Sequence, residues 1–314
     1  MTKSLAFLFP GQGSQHLGML SELSERYAVV RTSFEEASDA MEYDLWQLVQ
    51  EGPLDLLNAT QYTQPALLTA SVAVWRVWQE LEGHRPAYMA GHSLGEYSAL
   101  VCSGALDFAA GVRLVHLRGQ AMQAAVPAGE GAMAAILGLE DQQVQAACEE
   151  ASQGEVVAAV NYNAPGQVVI AGSKSAVERA ISACQVRGAR KAMPLPVSVP
   201  SHCALMRPAA ERVAQALAEI TFEEPRIPVV QNVDAQAHTQ PQVLKDNVLA
   251  QLYSPVLWSK SVSLMTEQGV NTLIECGPGK VLVGLAKRIH KPAKALAMND
   301  SESVAAALEL TRMH

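Results

Sequence analysis

The pentapeptide Gly91-His92-Ser93-Leu94-Gly95 constrains this chain more than any other stretch of it. A short β-like run at 88–90 precedes it and a helical pattern at 96–102 follows. A G-x-S-x-G turn between strand and helix is sharp enough to push the serine hydroxyl out at the carboxyl end of a sheet. Glycine at both ends lets strand and helix approach without Cβ clashes. The helix start offers unpaired N–H groups, so Leu94 N–H can donate to an oxyanion forming at Ser93. An ordinary Gly-rich turn is the competing reading, and the flanking strand and helix weigh against it.

Such a turn needs an α/β frame, and the first third of the chain alternates accordingly. A buried strand is expected at 5–9, and helices at 17–41, 65–81 and 108–125. Within 65–81, Leu67, Leu68, Val72, Trp75 and Trp78 recur at helical spacing. From about Gly131 the rhythm changes to strand 132–137, helix 140–151, strands 156–162 and 167–171, helix 174–186 and strand 191–195. That βαββαβ order is ferredoxin-like. The expectation is a catalytic α/β domain at 1–127 and 199–314, interrupted by a ferredoxin-like subdomain at 128–198. Later strands are expected at 229–233 and 272–276.

The 314 residues are 49% hydrophobic and 17% charged, enough for a sizeable core. A formal net charge of −8 argues against a nucleic-acid binder, which would present a basic surface. No apolar run reaches the length of a signal-peptide core or membrane span, so no membrane role and a cytoplasmic location are expected. The five cysteines are scattered and never spaced C-x-x-C, so neither a disulfide framework nor a metal site is expected. No cofactor is expected either.

A nucleophilic serine needs a base, and eight histidines compete. His92 adjoins Ser93, but neighbouring side chains diverge at such a turn, so it would flank the pocket. His16, His84, His116, His238, His290 and His314 have no catalytic setting. His202 lies where the chain re-enters the main domain; on its segment alone, a structural histidine fits as well as a base. The loop Pro10-Gly11-Gln12-Gly13-Ser14-Gln15 follows the first strand but lacks the pattern of a dinucleotide or Walker loop. It can deliver a second backbone N–H to an oxyanion. Arg118 shares an apolar helix face with Leu114, Val115 and Met122. A snorkelling surface arginine is one reading; a buried guanidinium waiting for a carboxylate is the other.

Together these segments resemble the malonyl-CoA:acyl carrier protein transacylase family over essentially the whole chain. The resemblance runs through 9–15, Thr63-Gln64-Pro65-Ala66, Gly91 to Glu96, Arg118-Gly119, Asn163-Ala164-Pro165-Gly166-Gln167, Pro200-Ser201-His202 and Gly277-Pro278-Gly279-Lys280. It implies a hydrolase-like core with a mainly parallel sheet, and an active site in the cleft beside the insert. It implies Ser93 as nucleophile, His202 as base, and the main-chain carbonyl of Gln251 in place of an acidic third member. Gln12 and Leu94 would form the oxyanion hole. Arg118 would bind the malonyl carboxylate, with Gln64, His92, Met122 and Gln167 also around the substrate. The implied partners are malonyl-CoA and phosphopantetheinylated acyl carrier protein. A serine esterase on the same elbow, an acyltransferase of another pathway and a non-catalytic docking module are the rival classes.

Overall fold

The computed structural model describes residues 5–197 and 199–312, so His314 and the expected boundary at 198 fall outside it. Two sheets divide the work. Strands β1 (Leu5–Phe9), β2 (Tyr88–Gly91), β7 (Val229–Val230), β8 (Ala237–His238), β9 (Thr272–Cys276) and β10 (Lys294–Met298) form one sheet, in the order β10-β9-β1-β2-β7-β8. All its pairings are parallel except β7 with β8. Strands β3 (Gly131–Leu137), β4 (Val157–Ala164), β5 (Gln167–Ser173) and β6 (Lys191–Pro194) form a second, wholly antiparallel sheet in the order β4-β5-β3-β6. With helices Asp141–Ser152 and Lys174–Val186 between its strands, that order is the ferredoxin-like arrangement expected from the sequence.

Every residue of β1 is buried, as a central parallel strand covered on both faces requires. Phe7 meets Trp75 and Trp78 edge-on at centroid distances of 5.4 and 5.2 Å, so the tryptophans of the helical stripe anchor that helix on the sheet. Main chain ties the second sheet to the loop before the helix Trp258–Glu267: Val256 N–H donates to Val160 O (2.8 Å), and Tyr162 N–H donates to Val256 O (3.0 Å).

Three expectations need correction. The stretch 17–41 is two helices, Ser21–Arg26 and Ala28–Met41, because Tyr27 adopts an extended conformation between them. The helix expected at 65–81 begins a turn earlier, as Thr60–Glu80, with Pro65 inside it. Proline cannot donate to the carbonyl four residues back; that carbonyl, Gln61 O, lies 2.9 Å from His116 Nδ1 and is satisfied by it. His116 is therefore a structural histidine. The strand expected at 229–233 stops at Val230, since Gln231 and Asn232 turn away into a buried polar network described below.

Among the described residues no helix is long and apolar enough to cross a membrane. The five cysteines are free thiols, four of them buried.

Glu275 sits beneath the helix Val281–Ile289, where Oε2 accepts from Val283 N–H at 2.9 Å while Oε1 has no partner. Burial pushes its carboxyl up from 4.5 to about 7. Between those values the folded state keeps a proton that the unfolded state has lost, so stability falls as pH rises through 7. Glu275→Gln keeps the acceptor and cannot ionise. Its melting temperature is expected to fall less between pH 5 and pH 8 than that of the wild type. Parallel pH dependence in thermal unfolding would remove Glu275 from this account.

Candidate active site

The elbow is built by two glycines whose Cβ atoms have no room. A Cβ on Gly91 would lie 1.8 Å from Gly95 C and O, and one on Gly95 would lie 2.1 Å from Phe9 O. Strand β2, the helix Leu94–Cys102 and the end of β1 thus meet at backbone contact. Ser93 pays with a strained backbone, φ 54° and ψ −110°. Residues Phe9 and Gly91 are register partners, so the loop carrying Gln12 leaves the sheet at the level where Ser93 emerges.

Ser93 Oγ lies 2.7 Å from His202 Nε2, and His202 Nδ1 lies 2.7 Å from Gln251 O. A carbonyl only accepts, so Nδ1 carries the proton and Nε2 presents its lone pair to the serine hydroxyl. His202 is buried, itself at positive φ (63°), and held well below an ordinary histidine, at about 3. Desolvation is the first cause, followed by the positive charge of Arg118. The imidazole is therefore neutral and ready to accept a proton across the physiological range.

Arg118 is buried, and among the described residues it forms no ion pair. Nη1 donates to Gln64 Oε1 (2.8 Å), and Nη2 donates to Gln251 Oε1 (3.0 Å) and Ser93 Oγ (3.3 Å). Its guanidinium stacks over Tyr97 at 5.2 Å, and among the described residues Nε has no hydrogen-bond partner. A cation held by neutral amides next to the serine is a site for an anionic substrate group.

Counting backbone donors around the elbow singles out Leu94. Ser93 N–H is taken by Asn232 Oδ1 (2.9 Å), Gly95 N–H by His92 O (2.9 Å) and Glu96 N–H by Ser93 O (3.0 Å). Among the described residues, Leu94 N–H and Gln12 N–H have no protein acceptor. Gln12 is otherwise fixed by its side chain, which donates to Thr60 Oγ1 at 3.3 Å.

The remaining residues divide. Gln64 Nε2 reaches Met122 Sδ at 3.7 Å, which places both around Arg118. His92 points away from Ser93, to Asn163 Oδ1 at 2.7 Å, and so ties the elbow to the second sheet. Gln167 starts β5 on the far side of that turn, and its side chain hydrogen-bonds none of these groups. None of His16, His84, His116, His238 and His290 hydrogen-bonds Ser93; His238, for example, pairs with Asp234 at 2.7 Å. Sequence reasoning missed the fully buried set Glu96, Gln231 and Asn232 behind the elbow. The one available signal was two amides directly after the apolar pair Val229-Val230.

A serine held against a neutral histidine, with free N–H donors and a cation beside it, is an arrangement that can carry out acyl transfer through an activated hydroxyl. The model of the acyl transferase domain family matches residues 6–307, and the chain belongs to that family. A malonyl CoA-acyl carrier protein transacylase of Escherichia coli K12 is 60% identical over 305 residues, covering 97% of this chain and 99% of the relative. That of Bacillus subtilis 168 is 44% identical over 306 residues, covering 97% and 96%. Among solved structures, an acyl carrier protein S-malonyltransferase of Vibrio cholerae superposes with a TM-score of 0.96 at 60% identity, covering 96% of this chain and 99% of that one. A malonyl-transacylase solved with its type II polyketide acyl carrier protein superposes with a TM-score of 0.96 at 56% identity, covering 98% and 99%.

Proposed function

We propose that this enzyme moves a malonyl group from malonyl-CoA to the phosphopantetheine thiol of acyl carrier protein, through a malonyl ester on Ser93, in the supply of fatty-acid synthesis. The observation that carries the reading is the buried guanidinium of Arg118, hydrogen-bonded only to neutral groups among the described residues and lying 3.3 Å from a serine that is 2.7 Å from its base. A plain esterase has no use for such a cation.

In the first half-reaction His202 Nε2 takes the hydroxyl proton as Ser93 Oγ attacks the thioester carbonyl. Leu94 N–H and Gln12 N–H receive the oxyanion, each donor contributing about 3 kcal/mol. Collapse breaks the C–S bond, and the proton on His202 passes to the leaving thiolate of coenzyme A. The carrier thiol then attacks the acyl-serine by the same steps reversed, which predicts ping-pong kinetics. Malonyl-CoA given without carrier protein should release about one coenzyme A per enzyme and then stall; continuous release would identify a hydrolase.

The reading extends to organisation and location: residues 128–198 act as an inserted subdomain walling the cleft, 1–127 and 199–314 carry the catalytic groups, and the enzyme works in the cytoplasm. His92–Asn163 supports the first of these, as a contact between the elbow and the insert.

An acidic enzyme meeting an acidic carrier protein needs a local basic patch. Two basic clusters are the candidates: Arg187, Arg190 and Lys191, and Lys280, Lys287, Arg288 and Lys291. Arg187 is already paired with Glu150 at 2.6 Å. Lys280 follows Gly279, which packs on Ser14 in the Gln12 loop, so the second cluster begins beside the site. Reversing Lys280, Lys287 and Arg288 to glutamate should slow transfer to carrier protein at least tenfold and flatten its salt dependence, with acylation by malonyl-CoA retained. Unchanged transfer would discard this surface.

A further inference from the structure

We infer that Asn232, braced by Glu96, is a positioning residue that holds Ser93 in its strained, reactive conformation and couples that conformation to the base. Asn232 brackets the elbow. Its Oδ1 accepts from Ser93 N–H (2.9 Å), and its Nδ2 donates to Gly91 O (2.8 Å), so one amide grips the chain on both sides of His92. Its own backbone N–H donates to Glu96 Oε2 at 2.6 Å, and Gln231 Nε2 donates to Glu96 Oε1 at 3.2 Å. Glu96 lies in the first turn of the helix that Ser93 opens. The ring therefore closes: strand end, nucleophile and helix start are each bonded to the same dipeptide after β7.

A non-glycine residue at positive φ costs about 1–3 kcal/mol and persists only where its surroundings over-determine it. Glu96, Gln231, Asn232 and Gln251 are each fully buried, so water cannot substitute for these bonds. The link to the base runs through Gln251. Its Nε2 donates to Ser93 O (3.0 Å) and to Asn232 Oδ1 (3.2 Å), while its main-chain carbonyl holds His202. Displacing Asn232 therefore moves nucleophile and base together. Arg118, which holds Gln64, Gln251 and Ser93 Oγ, makes no hydrogen bond to Asn232.

The inference rests on Ser93 being the acylated residue, and the experiment separates the two. Acylation by malonyl-CoA is followed in single turnover by intact mass. If wild type forms no adduct, the proposed function fails. If it does, Asn232→Ala is expected to acylate about 100-fold more slowly at saturation, the loss typical of a misplaced reacting atom. Its half-saturating malonyl-CoA concentration should move less than threefold. Wild-type acylation, or a loss seen only in half-saturation, would overturn the inference. Asn232→Asp supplies a second reading should the alanine variant not fold. A protonated carboxyl reproduces the amide's donor and acceptor, whereas a carboxylate would repel Gly91 O and the neighbouring Glu96. The charged or titratable groups around it are Glu96, Asp234, His92, His202 and Arg118. Measured as a ratio to wild type at each pH, Asn232→Asp acylation should be near wild type at pH 5 and fall at least tenfold by pH 8. A flat ratio near one would contradict the role.

Discussion

His202→Ala should lower malonyl transfer on the order of 10⁶-fold, as loss of the base does in serine acyl transfer. The reason is geometric: Nε2 is 2.7 Å from Ser93 Oγ, and among the described residues no other histidine hydrogen-bonds that hydroxyl. The pH dependence gives a second check. Because burial and Arg118 hold His202 at about 3, below the 6.5 of a free imidazole, its base form persists as pH falls through 6.5. Acylation of the wild type by malonyl-CoA should therefore stay level between pH 8 and pH 5, where an exposed histidine would already have lost most of its basicity. A drop centred near 6.5 would mean that the imidazole is more solvated than this site allows. The same difference sets an acid limit on the fold: above 6.5 both states hold a neutral imidazole, and stability is lost as pH falls from 6.5 toward 3, where only the unfolded chain takes up the proton.

Arg118→Ala should divide the substrates. The wild-type site holds a desolvated cation whose acceptors are two amides and a hydroxyl, so an acyl group bearing a carboxylate completes it and an acetyl group leaves it unpaired. Pairing a buried charge of this kind is worth roughly 2–5 kcal/mol, so malonyl transfer should fall about 10²- to 10³-fold. Acetyl transfer, slow in the wild type, should change little or rise, since the unpaired cation is gone. The measurement is kcat/KM for malonyl-CoA and acetyl-CoA on both proteins. Equal losses would reduce Arg118 to a structural role, holding Gln64 and Gln251 in place.

What the sequence disclosed depended on how local each cause was. The elbow was legible because both glycines it needs fall within one pentapeptide: Gly91 is required by the backbone of Gly95, and Gly95 by that of Phe9. The βαββαβ insert was legible because its strands and helices follow one another in pairing order. The helix from Thr60 was misjudged because Pro65 reads as a start, and the carbonyl it orphans is satisfied by His116, more than fifty residues later. Asn232 and Gln231 were read as strand because their partner Glu96 lies 135 residues or more away in sequence. Gln251 entered by resemblance for its carbonyl; nothing local foretold that its amide also bridges Arg118 to the elbow. Polar residues satisfied only by distant chain are invisible to patterning, and in this site they are the ones bonded to the backbone of Ser93.

The central claim is that the acyl group rests on Ser93. Intact-mass measurement after brief mixing with malonyl-CoA, followed by peptide mapping, tests it most directly. The account predicts one malonyl adduct per chain, confined to the peptide containing Ser93, discharged by holo acyl carrier protein and absent from Ser93→Ala. An adduct of equal yield on Ser93→Ala, or none on the wild type while transfer proceeds, would contradict it.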